Sequence, residues 1–292
     1  MLTSAPLIRV AVRMLRVVPV GVVRALARGA GVMAYWGAAD RRRTILGNVA
    51  RLAPGESEAG QRRLARRTFV NLLEASVDLF RLPTASRAEL FRLVEIEGRE
   101  HLDAALALGK GVIAVTPHLG PYELGGAILA AAGYRVHAMV EDIDPDTNAA
   151  LALYRQATGM QLISRSRGVR TVLRALKDGE IVLLVADRVV GDGSEGIELP
   201  FGGGVRAVPT GPASFALATG SPLIVGHIAR NPSGASRYLI RLEPPILPQS
   251  TGFPADDRLR LTSRIAERLA SVVREHPDQW FVFQPEWKRR DD

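Results

Sequence analysis

Two uninterrupted apolar runs limit what this chain can fold into more than any other feature. Residues 111–116 read GVIAVT and residues 181–186 read IVLLVA. Neither alternates polar with apolar, so a strand built from either must be covered on both faces, as happens in a parallel sheet between layers of helices. The surrounding segments agree. Strand-like stretches at 94–98, 135–140, 161–164 and 222–228 are separated by helical patterns at 99–108, 121–132, 145–158, 169–177 and 211–219. A long amphipathic helix covers 256–275, and residues 236–243 alternate and read as an edge strand. Strands spaced by helices predict an α/β fold with a mainly parallel central sheet flanked by helices.

The first 82 residues differ: they read as helical throughout. A short helix covers 44–53, a Pro-Gly-Glu-Ser turn follows at 54–57, and a long helix runs to Arg81, where Pro83 ends it. The expected organisation is a helical, membrane-associating N-terminal extension over 1–82 and one integrated α/β domain over 83–292. On a helical wheel of residues 5–30, Arg9, Arg13, Arg16, Arg24 and Arg28 fall within about 120°, and apolar residues fill much of the rest. Pro19 divides this segment into two helices. An arginine stripe beside a broad apolar face suits a helix lying at anionic headgroups, with Tyr35 and Trp36 at the same depth and Arg41, Arg42 and Arg43 following at once. The alternative is an ordinary surface helix packing its apolar side on the core.

Composition narrows the partners. The chain has 292 residues, a net charge of +8 and no cysteine, which excludes a disulfide framework, a thiolate metal site and a cysteine nucleophile. At 47% hydrophobic and 23% charged residues it is not a disordered chain. The positive charge would also suit nucleic acid, but no helix-turn-helix, zinc-knuckle or RNP-like pattern is present and aromatics are 5%. The expected partner is therefore an anionic membrane surface and not nucleic acid. The uncharged stretch 207–229 is broken by Pro209, Gly211, Pro212, Gly220 and Pro222 and does not read as a membrane span.

The chemistry-bearing stretch is Pro117-His118-Leu119-Gly120-Pro121-Tyr122-Glu123, directly after the first apolar run. Ligands in open α/β sheets bind beyond the carboxyl ends of the strands. Pro121 stands at the start of the next helix, which leaves His118 in the loop before it and Glu123 in its first turn. From there the imidazole can fold back towards the carboxylate, giving a base whose tautomer an acid fixes. A loop histidine with a satisfied ring and a first-turn glutamate at the helix dipole are the bland alternatives.

The segment TPHLGPYELGGAIL resembles the H-x4-D/E block of glycerolipid and lysophospholipid acyltransferases, in the branch of the lipid A late acyltransferases and the phosphatidylinositol mannoside acyltransferases. YRQATGMQLISR, LLVADRVVGDGSEGIELPFGG, VPTGPASFALATGSPLIVGHI and HPDQWFVFQPEW resemble further blocks of that branch, in family order, over about 94–288. The resemblance implies transfer of a fatty acyl group from a thioester donor to a hydroxyl of a glycolipid acceptor. His118 would be the general base and Glu123 its orienting partner. It matches Arg155 to the family's arginine, a candidate oxyanion donor, and Glu198 to a site glutamate of the mannoside branch. Arg188 and Arg206 flank the same loop as candidate holders of substrate phosphates, and its Gly202-Gly203-Gly204 run reads as a flexible loop. No acyl-enzyme is needed, in keeping with the lack of Cys and of a G-x-S-x-G elbow. No cofactor is implied beyond acyl-CoA or acyl-carrier protein as co-substrate, and the location implied is peripheral, at the cytoplasmic face of the plasma (inner) membrane. A non-catalytic lipid- or membrane-binding protein of the same fold is the rival.

Two other signals lead elsewhere. Residues 191–196 satisfy G-x-G-x-x-G, but a strand-like stretch follows instead of a helix, so the dinucleotide reading fails its structural condition. The histidines at 101, 118, 137, 227 and 276 show no metal-ligand spacing, so no metal is expected.

Overall fold

A computed structural model of the chain describes residues 18–83, 85–140, 159–164, 168–189, 196–284 and 287. Three helices come first: α1 (Val20–Gly37), α2 (Ala39–Leu52) and α3 (Glu58–Arg81). Pro19 precedes α1, and Ser57 caps α3 by accepting the Gly60 N–H. Gly31 lets α1 lie close on α3, since a Cβ there would meet the Val70 backbone at 2.7 Å. A small core of Tyr35, Ile45, Val49, Ala65 and Phe69 joins the three helices.

The sheet region follows with α4 (Arg87–Leu93), β1 (Val94–Glu97), α5 (Arg99–Leu106), β2 (Val112–Thr116), α6 (Tyr122–Ala131), β3 (Val136–Val140) and β4 (Gln161–Ser164). After these come α7 (Val169–Lys177), β5 (Ile181–Val185), β6 (Gly196–Phe201), β7 (Gly204–Pro209), α8 (Gly211–Thr219), β8 (Leu223–Arg230), β9 (Tyr238–Leu242) and α9 (Pro254–Glu275). Seven strands form one sheet in the order β1-β9-β8-β2-β5-β3-β4, parallel at every pair except β8–β9.

The two apolar runs lie side by side near the middle of this sheet. Ile113, Val115, Val182 and Leu184 enter one core with α7, α8 and α9, while Val112, Ala114 and Ile181 enter the other with α5 and α6. Burial of each such side chain contributes about 1.5–3 kcal/mol, so helices on both faces are what these runs demand.

Three readings change. Strand β9 is not an edge: it lies between β1 and β8, and the edges are β1 and β4. Its alternation reports that one of its faces is better covered than the other, not that it lacks a neighbour. Gly202-Gly203-Gly204 is not a flexible loop but the turn and start of an antiparallel β6–β7 hairpin, with φ of 54° at Gly202 and 96° at Gly203. A Cβ on Gly203 would sit 2.4 Å from the Arg51 carbonyl oxygen, so close approach to α2 as well as backbone sign selects glycine.

The third concerns α1. Of Arg24 and Arg28, both expected at a lipid surface, the first turns inward, and the second, though its side chain is 63% exposed, reaches to a buried carboxylate. Arg24 pairs with Asp78, whose side chain is fully buried, and Arg28 with Glu74, also buried. The same two carboxylates take Arg230 of β8, Arg237 and the Tyr238 hydroxyl. Buried carboxylates need cations at hand, and the arginine face of α1 supplies two of them. Arg9, Arg13 and Arg16 lie outside the described residues, as does the helix read at 145–158. Among the described residues no helix is long and apolar enough to cross a membrane.

Candidate active site

The loop after β2 carries His118, and its path is held at several points. Gly120 has φ of 57°, and a Cβ there would lie 2.2 Å from the Ile228 carbonyl oxygen. The segment after α9 runs alongside: the Gly120 N–H donates to the Gln279 carbonyl at 2.8 Å, and the Phe281 N–H to the His118 carbonyl at 2.8 Å. The backbone that bears the imidazole is thereby fixed from two sides.

Strand β5 is the parallel neighbour of β2, with Thr116 in register with Val185 and the Ala186 N–H donating to the Thr116 carbonyl. The next residue, Asp187, therefore emerges beside His118. Its carboxylate is enclosed and accepts three hydrogen bonds. The His118 backbone N–H donates to Oδ2 at 2.9 Å, the Trp280 indole N–H to Oδ2 at 2.6 Å, and His118 Nδ1 lies 2.5 Å from Oδ1. Burial by itself would raise the Asp187 carboxyl. The His118 imidazole, the Arg206 charge and the Trp280 indole outweigh it and hold the group well below the usual carboxylate range. An ionised carboxylate only accepts, so Nδ1 carries the hydrogen and Nε2 presents its lone pair. The ring is 15% exposed, with Tyr122 edge-on beside it at 5.3 Å. This arrangement can take a proton at Nε2 and stabilise the imidazolium that forms.

The expected site residues separate. His118 stands where the sequence puts it. The carboxylate on its Nδ1 is that of Asp187 rather than Glu123, which sits half-buried in the first turn of α6. The reason is geometric: adjacent parallel strands bring their carboxyl ends together, which sets Asp187 beside His118. Arg206 is 1% exposed, and its guanidinium lies over the rings of Phe201, Trp280 and Trp287 at 5.3, 4.9 and 5.4 Å. A side chain so enclosed does not suit the phosphate-holding role expected of it; it supports Trp280 and adds positive charge behind Asp187. Arg188 follows Asp187 directly and is half-buried, and Glu198 is exposed on β6 opposite Ala207. Arg155 lies outside the described residues.

Sequence reading missed Asp187 and Trp280 as members of the site. A signal existed for the first: it ends the second apolar run as His118 follows the first, and neighbouring buried strands finish side by side. Gly196 opens β6, so the G-x-G-x-x-G stretch indeed leads into a strand. A cavity of about 1070 Å³ between the β6–β7 turn, α9, Arg51 and Trp287 does not include His118 in its lining. Among the described residues no cluster of His, Asp or Glu suits a metal ion.

Fold and site together define an α/β protein that holds a loop histidine, backed by a buried carboxylate, at the carboxyl end of its sheet. The chain belongs to the bacterial lipid A biosynthesis acyltransferase family, whose model matches residues 4–289. It is 30% identical over 217 residues to a phosphatidylinositol mannoside acyltransferase of Mycobacterium tuberculosis, 72% of this chain and 66% of that protein. It is 26% identical over 215 residues to the phosphatidylinositol mannoside acyltransferase of Mycolicibacterium smegmatis, 72% and 67% of the two chains. A lipid A biosynthesis acyltransferase of Haemophilus influenzae is 21% identical over 228 residues, 78% and 69%. The match thus spans about two thirds of the length of these relatives.

Proposed function

We propose that this protein is a membrane-associated acyltransferase that moves a fatty acyl group from a thioester donor to a hydroxyl of a glycolipid, with His118 as general base. The observation that carries the reading is the hydrogen bond between His118 Nδ1 and the buried, ionised Asp187. In the proposed step Nε2 takes the proton of the acceptor hydroxyl as its oxygen attacks the thioester carbonyl. The tetrahedral intermediate then collapses, the C–S bond breaks, and the imidazolium returns the proton to the leaving thiolate. Asp187 stays ionised throughout and stabilises the imidazolium. Arg155 stands as the candidate donor to the oxyanion, and Glu123, Glu198 and Arg188 as candidates for the polar parts of acceptor and donor. Arg206 acts from behind, through Trp280 and Asp187. The names of the mycobacterial relatives support a phosphatidylinositol mannoside-like acceptor, and that of the Haemophilus relative a lipid A-like one. A CoA or acyl-carrier-protein donor would place the work at the cytoplasmic face of the membrane.

The test is mass spectrometry of products formed from palmitoyl-CoA and a mannosylated phosphatidylinositol, or a lipid A precursor, with wild type and His118→Ala. General-base assistance is worth about 10²–10⁴-fold, so the variant should lose at least that much while melting as wild type does. Equal turnover in the two proteins would overturn the mechanism. A wild-type protein that binds both lipids yet neither transfers acyl groups nor hydrolyses the thioester would be the non-catalytic lipid binder instead.

A further inference from the structure

Helix α1 wears its apolar side outward. Val22, Leu26, Met33 and Trp36 are 49%, 59%, 75% and 67% exposed. At about 100° per residue they share an arc of about 80°, with exposed Gly29 in the same row. Arg24, Arg28, Gly31 and Tyr35 take the opposite side and face the protein. A surface helix of a soluble protein shows the reverse order, apolar stripe inward and charges outward.

The orientation is imposed rather than incidental. Rotating α1 to hide its apolar stripe would pull Arg24 and Arg28 from Asp78 and Glu74, two carboxylates enclosed in the protein. Removing cations from buried carboxylates is strongly unfavourable. The helix is therefore locked with its greasy side in solvent, and a contiguous exposed apolar row of this kind marks a contact surface.

Charge identifies the occupant. Residues 1–39 contain no Asp or Glu, and every charged side chain among them is an arginine. At the far end of the stripe Arg41 and Arg43 are exposed, while Arg42 donates to the Tyr35 and Trp36 carbonyls and lies over the Trp36 ring at 5.9 Å. A second copy of the chain would bring two acid-free segments together, like charge against like. An anionic bilayer offers apolar depth for the stripe, phosphates for the arginines and a headgroup layer for the indole. We propose that the outward row Val22, Leu26, Met33 and Trp36, and not the arginine face of α1, is the surface by which this protein lies on an anionic lipid bilayer. The proposal draws its sense from the reading of a lipid-borne acceptor, but its test requires no turnover.

Vesicles of phosphatidylcholine with one quarter phosphatidylglycerol are the probe. Trp36 is the exposed tryptophan among the described residues, with Trp280 enclosed and Trp287 half-buried. Tryptophan emission should shift to shorter wavelength on adding vesicles, and Trp36→Phe should abolish the shift. In co-sedimentation, Leu26→Glu with Met33→Glu should weaken partitioning by about tenfold or more, at an unchanged melting temperature. Arg28→Gln, on the opposite face, should bind within about twofold of wild type, and His118→Ala should bind as wild type does, so a failure of the catalytic reading leaves this result standing. Wild-type partitioning of a folded Leu26→Glu/Met33→Glu protein would overturn the proposal. So would light scattering that shows a wild-type dimer split by those two changes with vesicle binding intact, which would make the stripe a contact between copies.

Discussion

Asp187 accepts from three donors, and each is a separate handle on the proposed base. Asp187→Asn keeps the shape but removes the charge that orients and stabilises the imidazole, so kcat/KM should fall by about 10²–10⁴-fold. Glu123→Gln should cost less, because its carboxylate is not the one on Nδ1. Steady-state rates of the two variants side by side decide between them; a larger loss at Glu123 would return the orienting role to the helix. The double variant His118→Ala/Asp187→Asn should be no slower than His118→Ala, since groups that act as one unit are not additive. Trp280→Phe deletes the indole donor while keeping a ring under Arg206. Leaving a buried acceptor short of a partner costs about 1–3 kcal/mol, readable as a lowered melting temperature together with a slower rate.

Helices α1 and α3 meet strands β8 and β9 through ions rather than through apolar packing alone. Asp78, fully buried, accepts from Arg24, Arg237 and the Tyr238 hydroxyl, whose own ionisation burial and the Asp78 charge push upward. Asp78→Ala should therefore destabilise the fold by about 3–5 kcal/mol, whereas Arg28→Gln, with a largely exposed side chain, should change it by about 1 kcal/mol or less. Denaturant unfolding of both variants checks the contrast. On β8, His227 is buried, and that burial, with His276 and Arg241 nearby, lowers it from 6.5 to about 3. Below pH 6.5 the unfolded chain binds a proton that the folded one refuses, so stability is full above that pH and declines as the pH falls towards 3. The whole interval is worth on the order of 5 kcal/mol. The melting temperature should drop from pH 7 to pH 4.5, and His227→Leu should flatten that slope. An equal slope in the variant would assign the acid sensitivity elsewhere.

At the scale of the molecule, the segment after α9 ties three regions into one working unit. Asn48 of α2 donates to the Val282 carbonyl and accepts from the Trp287 indole; Asn71 of α3 donates to the Asp278 carbonyl. Gln279, Trp280 and Phe281 meanwhile fix the His118 loop and Asp187. The N-terminal helices thus reach the site through the end of the chain. A chain stopped at Glu275 loses the enclosed Trp280 and these bonds, and should melt about 10 °C or more below the full protein and lack transfer. Unaltered melting would show that the segment rides on the fold without supporting it.

Sequence pattern alone imposes the layered α/β fold, because GVIAVT and IVLLVA do not alternate polar with apolar and only helices on both faces can cover them. It also places the proposed base: a histidine in the loop between a buried strand and a helix start has few other places to go. Local pattern could not say which carboxylate that histidine would meet, because Asp187 is 69 positions away and arrives only through the pairing of β2 with β5. Nor could it tell which way α1 would face. A helical wheel separates arginines from apolar residues but does not say which side is wet. That was decided by α3, whose buried carboxylates Asp78 and Glu74 need cations in a poorly solvating interior and whose backbone at Val70 admits α1 only where Gly31 has no Cβ.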